Sequence, residues 1–280
     1  FSSRHQTVPP MPITLTLIEW DGDLHADARK VLSPFFSPKS VSNLELVARD
    51  LTISLIDGFY ERGECDFVEE FALKMPIIIV MSLMGLPDED TPYLMQISED
   101  IVRSTDPVVQ AAAFQRVFDY IANDVMPKRR ANPGRDIFSA ILDAKIEGGR
   151  PFTDAEIISF GAVLIAAGLD TVASTLGFLT EFLAENPNHR RALVADPGLI
   201  NDALEEMMRR FHIANIARVV ARDMDYKGLI FKAGDRILIP TAAAGIDARR
   251  YPEPFEVDFA RGDKKTLVFG RGVHQCIGSF

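Results

Sequence analysis

The sequence predicts a mainly α protein, α+β in detail, with one long central helix and a small β region near the C-terminus. Three observations carry this. Apolar residues recur at three- and four-residue steps over most of the first 211 positions. One uninterrupted helical pattern runs from Thr153 to Glu185, which at 1.5 Å per residue is ~48 Å of helix. Beyond Phe211 the period changes to two, in short runs separated by turn residues.

Each element follows from local signals. Residues 41–62 carry Leu44, Leu46, Val47, Leu51, Leu55, Ile56 and Phe59 at helical spacing. Residues 75–85 are apolar all round, which predicts a buried helix ended by Gly85-Leu86-Pro87. Pro107 suits a first helical position and opens a helix over 108–130. Its last turn holds Lys128, Arg129 and Arg130, favourable to the helix dipole. Residues 136–147 read as a shorter helix stopped by Gly148-Gly149. Thr153-Asp154-Ala155-Glu156 is a capping box for the central helix, which Asn186-Pro187 terminates. Residues 201–211 form another helix. Strands follow over 217–222, 229–231 and 237–239, and residues 247–265 are Pro-rich and irregular.

Composition narrows the function. The 280 residues, 47% apolar and 25% charged, describe an ordinary globular chain. A net charge of −10 argues against general nucleic-acid binding. The two cysteines, Cys65 and Cys276, form neither a disulfide framework nor a paired zinc spacing, which suits a reducing, cytoplasmic setting. The longest apolar runs, 75–86 and 160–169, are shorter than the ~20 residues a bilayer requires. The chain begins at Phe1 and stops two residues after Gly278, so it reads as part of a longer protein.

Four constellations stand out. The first is the run Phe269-Gly-Arg-Gly-Val-His-Gln-Cys276-Ile-Gly278. Gly270 and Gly272 free the backbone to turn tightly, so that amides can point at the sulfur. Arg271 and His274 offer the cationic setting a thiolate needs. A lone cysteine is otherwise more often a buried small hydrophobe. The second is Ala167-Gly168-Leu169-Asp170-Thr171 inside the central helix. Gly costs about 1 kcal/mol against Ala there, and an unpaired buried carboxylate costs far more. The bland reading is a surface turn with Thr171 bonded back to a carbonyl. The apolar flanks favour a local opening of the helix over a reactive centre instead. Third, Glu206 and Arg209 stand at i and i+3, by default an ordinary exposed pair. Fourth, His25 and Arg29 are one turn apart, either a solvated face or a cationic clamp for a carboxylate-bearing cofactor. Arg218 and His274 would complete that clamp.

Together these residues resemble the cytochrome P450 family of haem-thiolate monooxygenases. Phe269–Gly278 matches its cysteine-loop pattern, Ala167–Thr171 its oxygen-activation motif, Glu206-x-x-Arg209 its Glu-x-x-Arg helix. His25-x-x-x-Arg29, followed by Phe36-Ser-Pro38, is similar to its third helix. The wording around Met84-Gly-Leu-Pro-Asp-Glu-Asp90 and Arg209-Arg-Phe211 resembles the soluble bacterial branch, in places the camphor-hydroxylating members.

The resemblance implies one P450 domain over 1–280, incomplete at both ends, with haem b and iron held by Cys276. It implies propionate contacts from His25, Arg29, Arg218 and His274, and haem contacts from Ala167, Gly168, Phe269, Gly270 and Gly278. Asp170 and Thr171 would deliver protons during O2 activation. Val163, Ala166, Ala167, Thr171, Ala214 and Ile216 would line a pocket for a small hydrophobic substrate, a terpenoid among the candidates. The loop over 8–18 would add specificity. Electrons would come from NAD(P)H through a ferredoxin-type partner. The chain departs from the family in Tyr251-Pro-Glu-Pro-Phe-Glu256, where acidic residues surround the slot of a third partner for Arg209; Arg261 is the alternative. The rival classes are a haem-thiolate peroxygenase, a nitric oxide reductase, an aromatic-coupling catalyst, a non-catalytic haem-binding module and a haem-free helical scaffold. The Asp170-Thr171 pair favours the oxygen-dependent route, because a peroxygenase needs no proton relay.

Overall fold

The computed structural model describes residues 1–7, 14–102 and 104–279; residues 8–13 of the 8–18 loop lie outside them. The chain forms two compact units, Phe1–Asp170 and Thr171–Ser279.

The first unit opens with α1 (Gly22–Leu32), α2 (Pro38–Tyr60), α3 (Lys74–Met84), α4 (Thr91–Val102) and α5 (Pro107–Tyr120). Gly85 closes α3 in the left-handed region, φ 67°, as only glycine does cheaply. Four residues of α3 (Pro76, Ile77, Met81 and Met84) are buried, and Ile78, Ile79 and Val80 are half-buried. α2 carries no buried residue. The helix expected over 108–130 is interrupted: a π turn, Ile121–Val125, separates α5 from α6 (Met126–Ala131). Pro127 has no N–H to continue the α register through that turn.

The helix expected over 136–147 ends sooner. α7 spans Ile137–Asp143, and an antiparallel pair follows, β1 (Lys145–Ile146) with β2 (Arg150–Pro151). Glu147, Gly148 and Gly149 all take positive φ, so the two glycines make a hairpin rather than merely stopping a helix. The chain reverses there and buries Ile146 at 1% exposure.

The central helix α8 spans Asp154–Glu185, as the sequence indicates. Its capping box is formed: Thr153 N–H donates to Glu156 at 2.8 Å, and Glu156 N–H donates to the Thr153 hydroxyl at 3.3 Å. By length and composition α8 could cross a membrane, contrary to the expectation from apolar runs, because a core helix satisfies the same criteria. Ile157, Phe160, Val163 and Ile165 are buried on it.

In the second unit α9 (Pro187–Ala195) and α10 (Ile200–Arg210) precede β3 (Ile216–Val219), β4 (Met224–Tyr226), β5 (Leu229–Phe231), β6 (Arg236–Ile239) and α11 (Thr241–Gly245). The strands make two separate antiparallel ladders, β3 with β6 and β4 with β5, rather than one small sheet. β4 carries too short an alternation to be read alone. Lys227-Gly228, both at positive φ, is the hairpin turn that betrays it.

The Glu206–Arg209 pair is not exposed: both side chains are 0% accessible. Arg209 Nε and Nη2 each reach Glu206 at 2.9 Å, and its remaining donors reach the carbonyls of Gly245, Pro254 and Glu256. All five N–H donors of the guanidinium are used. Arg261 supplies the third partner, its Nε 2.9 Å from Glu206 Oε1, with further bonds to the carbonyls of Pro252, Glu253 and Glu256. The acidic side chains around the slot therefore do not matter; the segment offers its backbone oxygens. A Cβ on Gly245 would lie 2.3 Å from the Arg209 carbonyl, so the site also needs that glycine.

Burial pushes the Glu206 carboxyl up, but donors from Arg209, the Asp258 amide and Arg261 outweigh it and hold it below the ordinary 4.5. A depressed carboxyl contributes stability that is present above its unfolded value and is lost as pH falls through its folded one. Glu206→Gln should flatten the fall of the urea midpoint below about pH 4.5. Arg209→Met, which removes the main partner of a buried carboxylate, should cost about 3–5 kcal/mol in urea unfolding.

Candidate active site

In the first unit, α1 presents His25, buried at 4% exposure, and Arg29, half-buried, one turn apart. Their neighbour Asp27 is engaged elsewhere: it accepts from Lys30 Nζ at 2.8 Å and from the Glu147 amide at 3.1 Å. Along α8, Val163 is buried at 6% exposure. Ala166 borders a cavity of about 20 Å³ with Ile97, Ile101, Phe114 and Val117, space for about one water. Ala167 is exposed and Asp170 half-buried.

Gly168 has a packing reason. A Cβ there would lie 2.4 Å from Val80 Cγ2 on α3. Helical assignment is continuous through Ala167–Thr171, so the helix does not open as expected. Glycine is needed instead because α3 approaches α8 closely. Gly161, two turns earlier, does the same against Phe138, whose Cζ would lie 2.6 Å from an added Cβ.

In the second unit Thr171 is exposed. Ala214, Ile216 and Arg218 are half-buried along the approach to β3 and within it. Ile216 pairs with Ile239, and Arg218 Nη1 donates to the Ala217 carbonyl at 2.6 Å. Two residues missed by sequence reasoning hold Ala214. The Thr241 hydroxyl donates to the Ala214 carbonyl at 2.5 Å, and its oxygen lies 2.7 Å from His212 Nε2. Because the hydroxyl proton is committed to Ala214, His212 donates from Nε2. Burial holds the His212 imidazole below its ordinary value. No motif marks either residue; only the backbone path brings them together.

The cysteine loop is ordered by its own backbone. The Cys276 N–H donates to the Phe269 carbonyl at 2.8 Å, Gln275 N–H to Gly272 at 3.0 Å and Gly270 N–H to Leu267 at 2.9 Å. Gly270 (φ 68°) and Gly272 (φ 80°) take the left-handed conformation, and a single 3₁₀ turn covers Gly272–His274. The loop thus ties Phe269 to Cys276 and leaves Cys276 exposed. A Cβ on Gly278 would sit 3.9 Å from the sulfur, in ordinary van der Waals contact with it.

Comparisons with known proteins agree with this architecture. Residues 198–280 match the family model described as Cytochrome P450. The whole chain is 31% identical to the steroid C26-monooxygenase of Mycolicibacterium smegmatis, covering 71% of that protein. Over 94% of the chain it is 32% identical to "Probable cytochrome P450 127A1" of Sinorhizobium fredii, covering 63% of it. The solved structure of CYP101J2 superposes with a TM-score of 0.84 at 36% identity, covering 94% of this chain and 65% of that one. The chain belongs to the cytochrome P450 family. It spans 63% of the length of the Sinorhizobium relative.

Membership implies a haem, and the donor chemistry fits one. Among the described residues no group of three or more His, Cys, Asp or Glu side chains could hold a metal ion. Cys276 is a lone thiol donor, and a haem iron is the kind of metal that would need only one such ligand from the protein. Its thiol is exposed, so a flat group could reach it.

Gly168→Ala should destabilise the protein by about 1–2 kcal/mol, the clash with Val80 outweighing the helix propensity gained. A double-mutant cycle with Val80→Ala should give a coupling of about 1 kcal/mol or more. Simple additivity would remove the packing explanation.

Proposed function

We propose that this chain is the catalytic body of a monooxygenase that inserts one atom of O2 into a small hydrophobic substrate and releases the other as water. The exposed thiol of Cys276 on a glycine-turned loop carries the reading. When bound, the haem supplies an iron whose thiolate ligand donates electron density toward O–O cleavage.

The chain's own residues have distinct tasks. Cys276 holds the iron, and the Phe269–Gly270 turn supports the sulfur. Arg29 and Arg218 offer planar cations to propionates, with His25 and His274 as further donors. Ala167, small and exposed, keeps the helix surface low where a flat group must approach. Asp170 holds protons at its carboxylate and Thr171 passes them at its hydroxyl, a general-acid role that such side chains fill. Val163, Ala166, Ala214 and Ile216 are small or aliphatic, suiting an apolar substrate.

The M. smegmatis relative is named for action on a steroid, which together with the camphor-like wording favours hydroxylation of a compact terpenoid or steroid skeleton. Electrons would come one at a time from NAD(P)H through a ferredoxin-type protein. The whole chain would act as one domain in the cytoplasm, with neither nucleic acid nor membrane as partner.

A carbon-monoxide difference spectrum of the full-length protein should show the red-shifted thiolate band, and Cys276→Ala should abolish it; a band that survives removes the ligand assignment. A spin-shift screen with terpenoids, steroids, fatty acids and small aromatics should give its first response among the terpenoids or steroids. Thr171→Ala should keep the band but divert reductant to hydrogen peroxide, lowering product per NADH about ten-fold.

A further inference from the structure

The polar character of α8 does not stop at Thr171. One turn on, Thr175 is half-buried, and its hydroxyl donates to the Thr171 carbonyl at 2.7 Å. In an α-helix that carbonyl is also the acceptor for the N–H of residue 175. The Thr171 oxygen therefore takes two donors from one residue, one on each lone pair. Back-bonding of this kind weakens the local ladder slightly and bends the helix.

The setting makes the bond informative. Val172 and Phe178 are 43% and 47% exposed, so side-chain packing supports this stretch of helix surface poorly. Threonine is also a worse helix former than alanine or leucine. A hydroxyl placed here costs helix propensity and returns a fixed orientation of the peptide group that follows Thr171. The β-branched side chain of Thr175 has few χ1 states in a helix, so the donor is held rather than swinging.

We infer that Thr175 is a positioning residue for Thr171. Its hydroxyl sets the tilt of the Thr171 carbonyl, and through the shared backbone the direction of the Thr171 side chain. The inference rests on the proton-delivery role given to Asp170 and Thr171 above. Thr175 touches neither substrate nor cofactor in this role; it acts through Thr171.

The test compares Thr175→Val, which keeps the shape, with Thr175→Ser, which keeps the hydroxyl, in the full-length haem-loaded protein. Peroxide released per NADH is measured with the first compound that gives a spin shift in the screen above. Thr175→Val should raise peroxide about three-fold or more, with the carbon-monoxide band and the affinity for that compound unchanged, and Thr175→Ser should restore wild-type coupling. Backbone hydrogen exchange, read without turnover, should slow about three-fold at the amide of residue 175 in Thr175→Val and not in Thr175→Ser. Wild-type coupling in Thr175→Val overturns the inference, whether or not exchange moves. So does a Thr175→Ser variant as uncoupled as Thr175→Val, since shape rather than the hydroxyl would then matter. Wild-type coupling in Thr171→Ala instead sinks the proton-delivery reading, and is told apart because the exchange effect of Thr175→Val persists.

Discussion

The second unit depends on one buried guanidinium. Arg209 sits at 0% exposure with every N–H engaged. It lies over the Tyr251 ring at 5.1 Å, and Tyr251 in turn donates to the Lys265 carbonyl at 2.6 Å. Residues 247–265 have almost no regular structure, so their carbonyls lack the partners a helix or ladder would give. Arg209 and Arg261 supply those partners. The ion pair with Glu206 is what makes a buried cation tolerable, because desolvating a charge is expensive unless it is paired and hydrogen-bonded. Removing Arg209 therefore does more than break a pair: it takes donors from the Gly245, Pro254 and Glu256 carbonyls and leaves Glu206 to Arg261 and the Asp258 amide.

That arrangement explains how an irregular segment can deliver a cysteine to a defined place. The chain runs from the Arg209 anchor through Tyr251 and Arg261 to Lys264, whose Nζ reaches Asp202 on α10 at 2.6 Å. From there only a short stretch leads to the loop closed by Phe269 and Cys276. A His189 bond to the Val257 carbonyl at 3.0 Å and an edge contact with Phe259 add a second fixing point. The core cluster of Leu179, Ala203, Met207 and Phe259 lies beneath it. Loop position is thus tied to α8, α9 and α10 through the apolar cluster, the Lys264–Asp202 ion pair and the His189 bond to the Val257 carbonyl.

How much of this was legible in the sequence depended on whether the signal was local. The capping box at Thr153 and the helix end at Gly85 are contained in a few residues, and both formed as read. The central helix was legible because its apolar pattern is long. The hairpin over residues 145–151 was misread because Gly148-Gly149 stops a helix as well as it turns a strand, and only the burial of Ile146 decides. The Glu206–Arg209 spacing gave the pair but not its burial, since i and i+3 partners look alike on a surface and in a core. Arg261 was legible only as an alternative, because its partners are backbone oxygens that carry no side-chain signature. His212 and Thr241, which together hold Ala214, had no sequence signal at all.

The central helix carries two demands that its sequence meets with neighbouring residues. Against α3 and α7 it needs bare backbone, and Gly161 and Gly168 provide it at a cost in helix propensity. Beside them it carries polar groups, Asp170, Thr171 and Thr175, of which Thr171 is exposed and the other two half-buried. The expectation of a helix opened at this motif assumed that Gly, Asp and Thr together must break the ladder. The structure separates their reasons: Gly168 serves packing, and Thr175 loads a second donor onto the Thr171 carbonyl without breaking the helix. The helix stays closed, with its ladder slightly weakened at the doubly bonded carbonyl. In the proton-relay role proposed for Thr171, placement of the hydroxyl would come first, since transfer depends on hydrogen-bond distance before it depends on acidity.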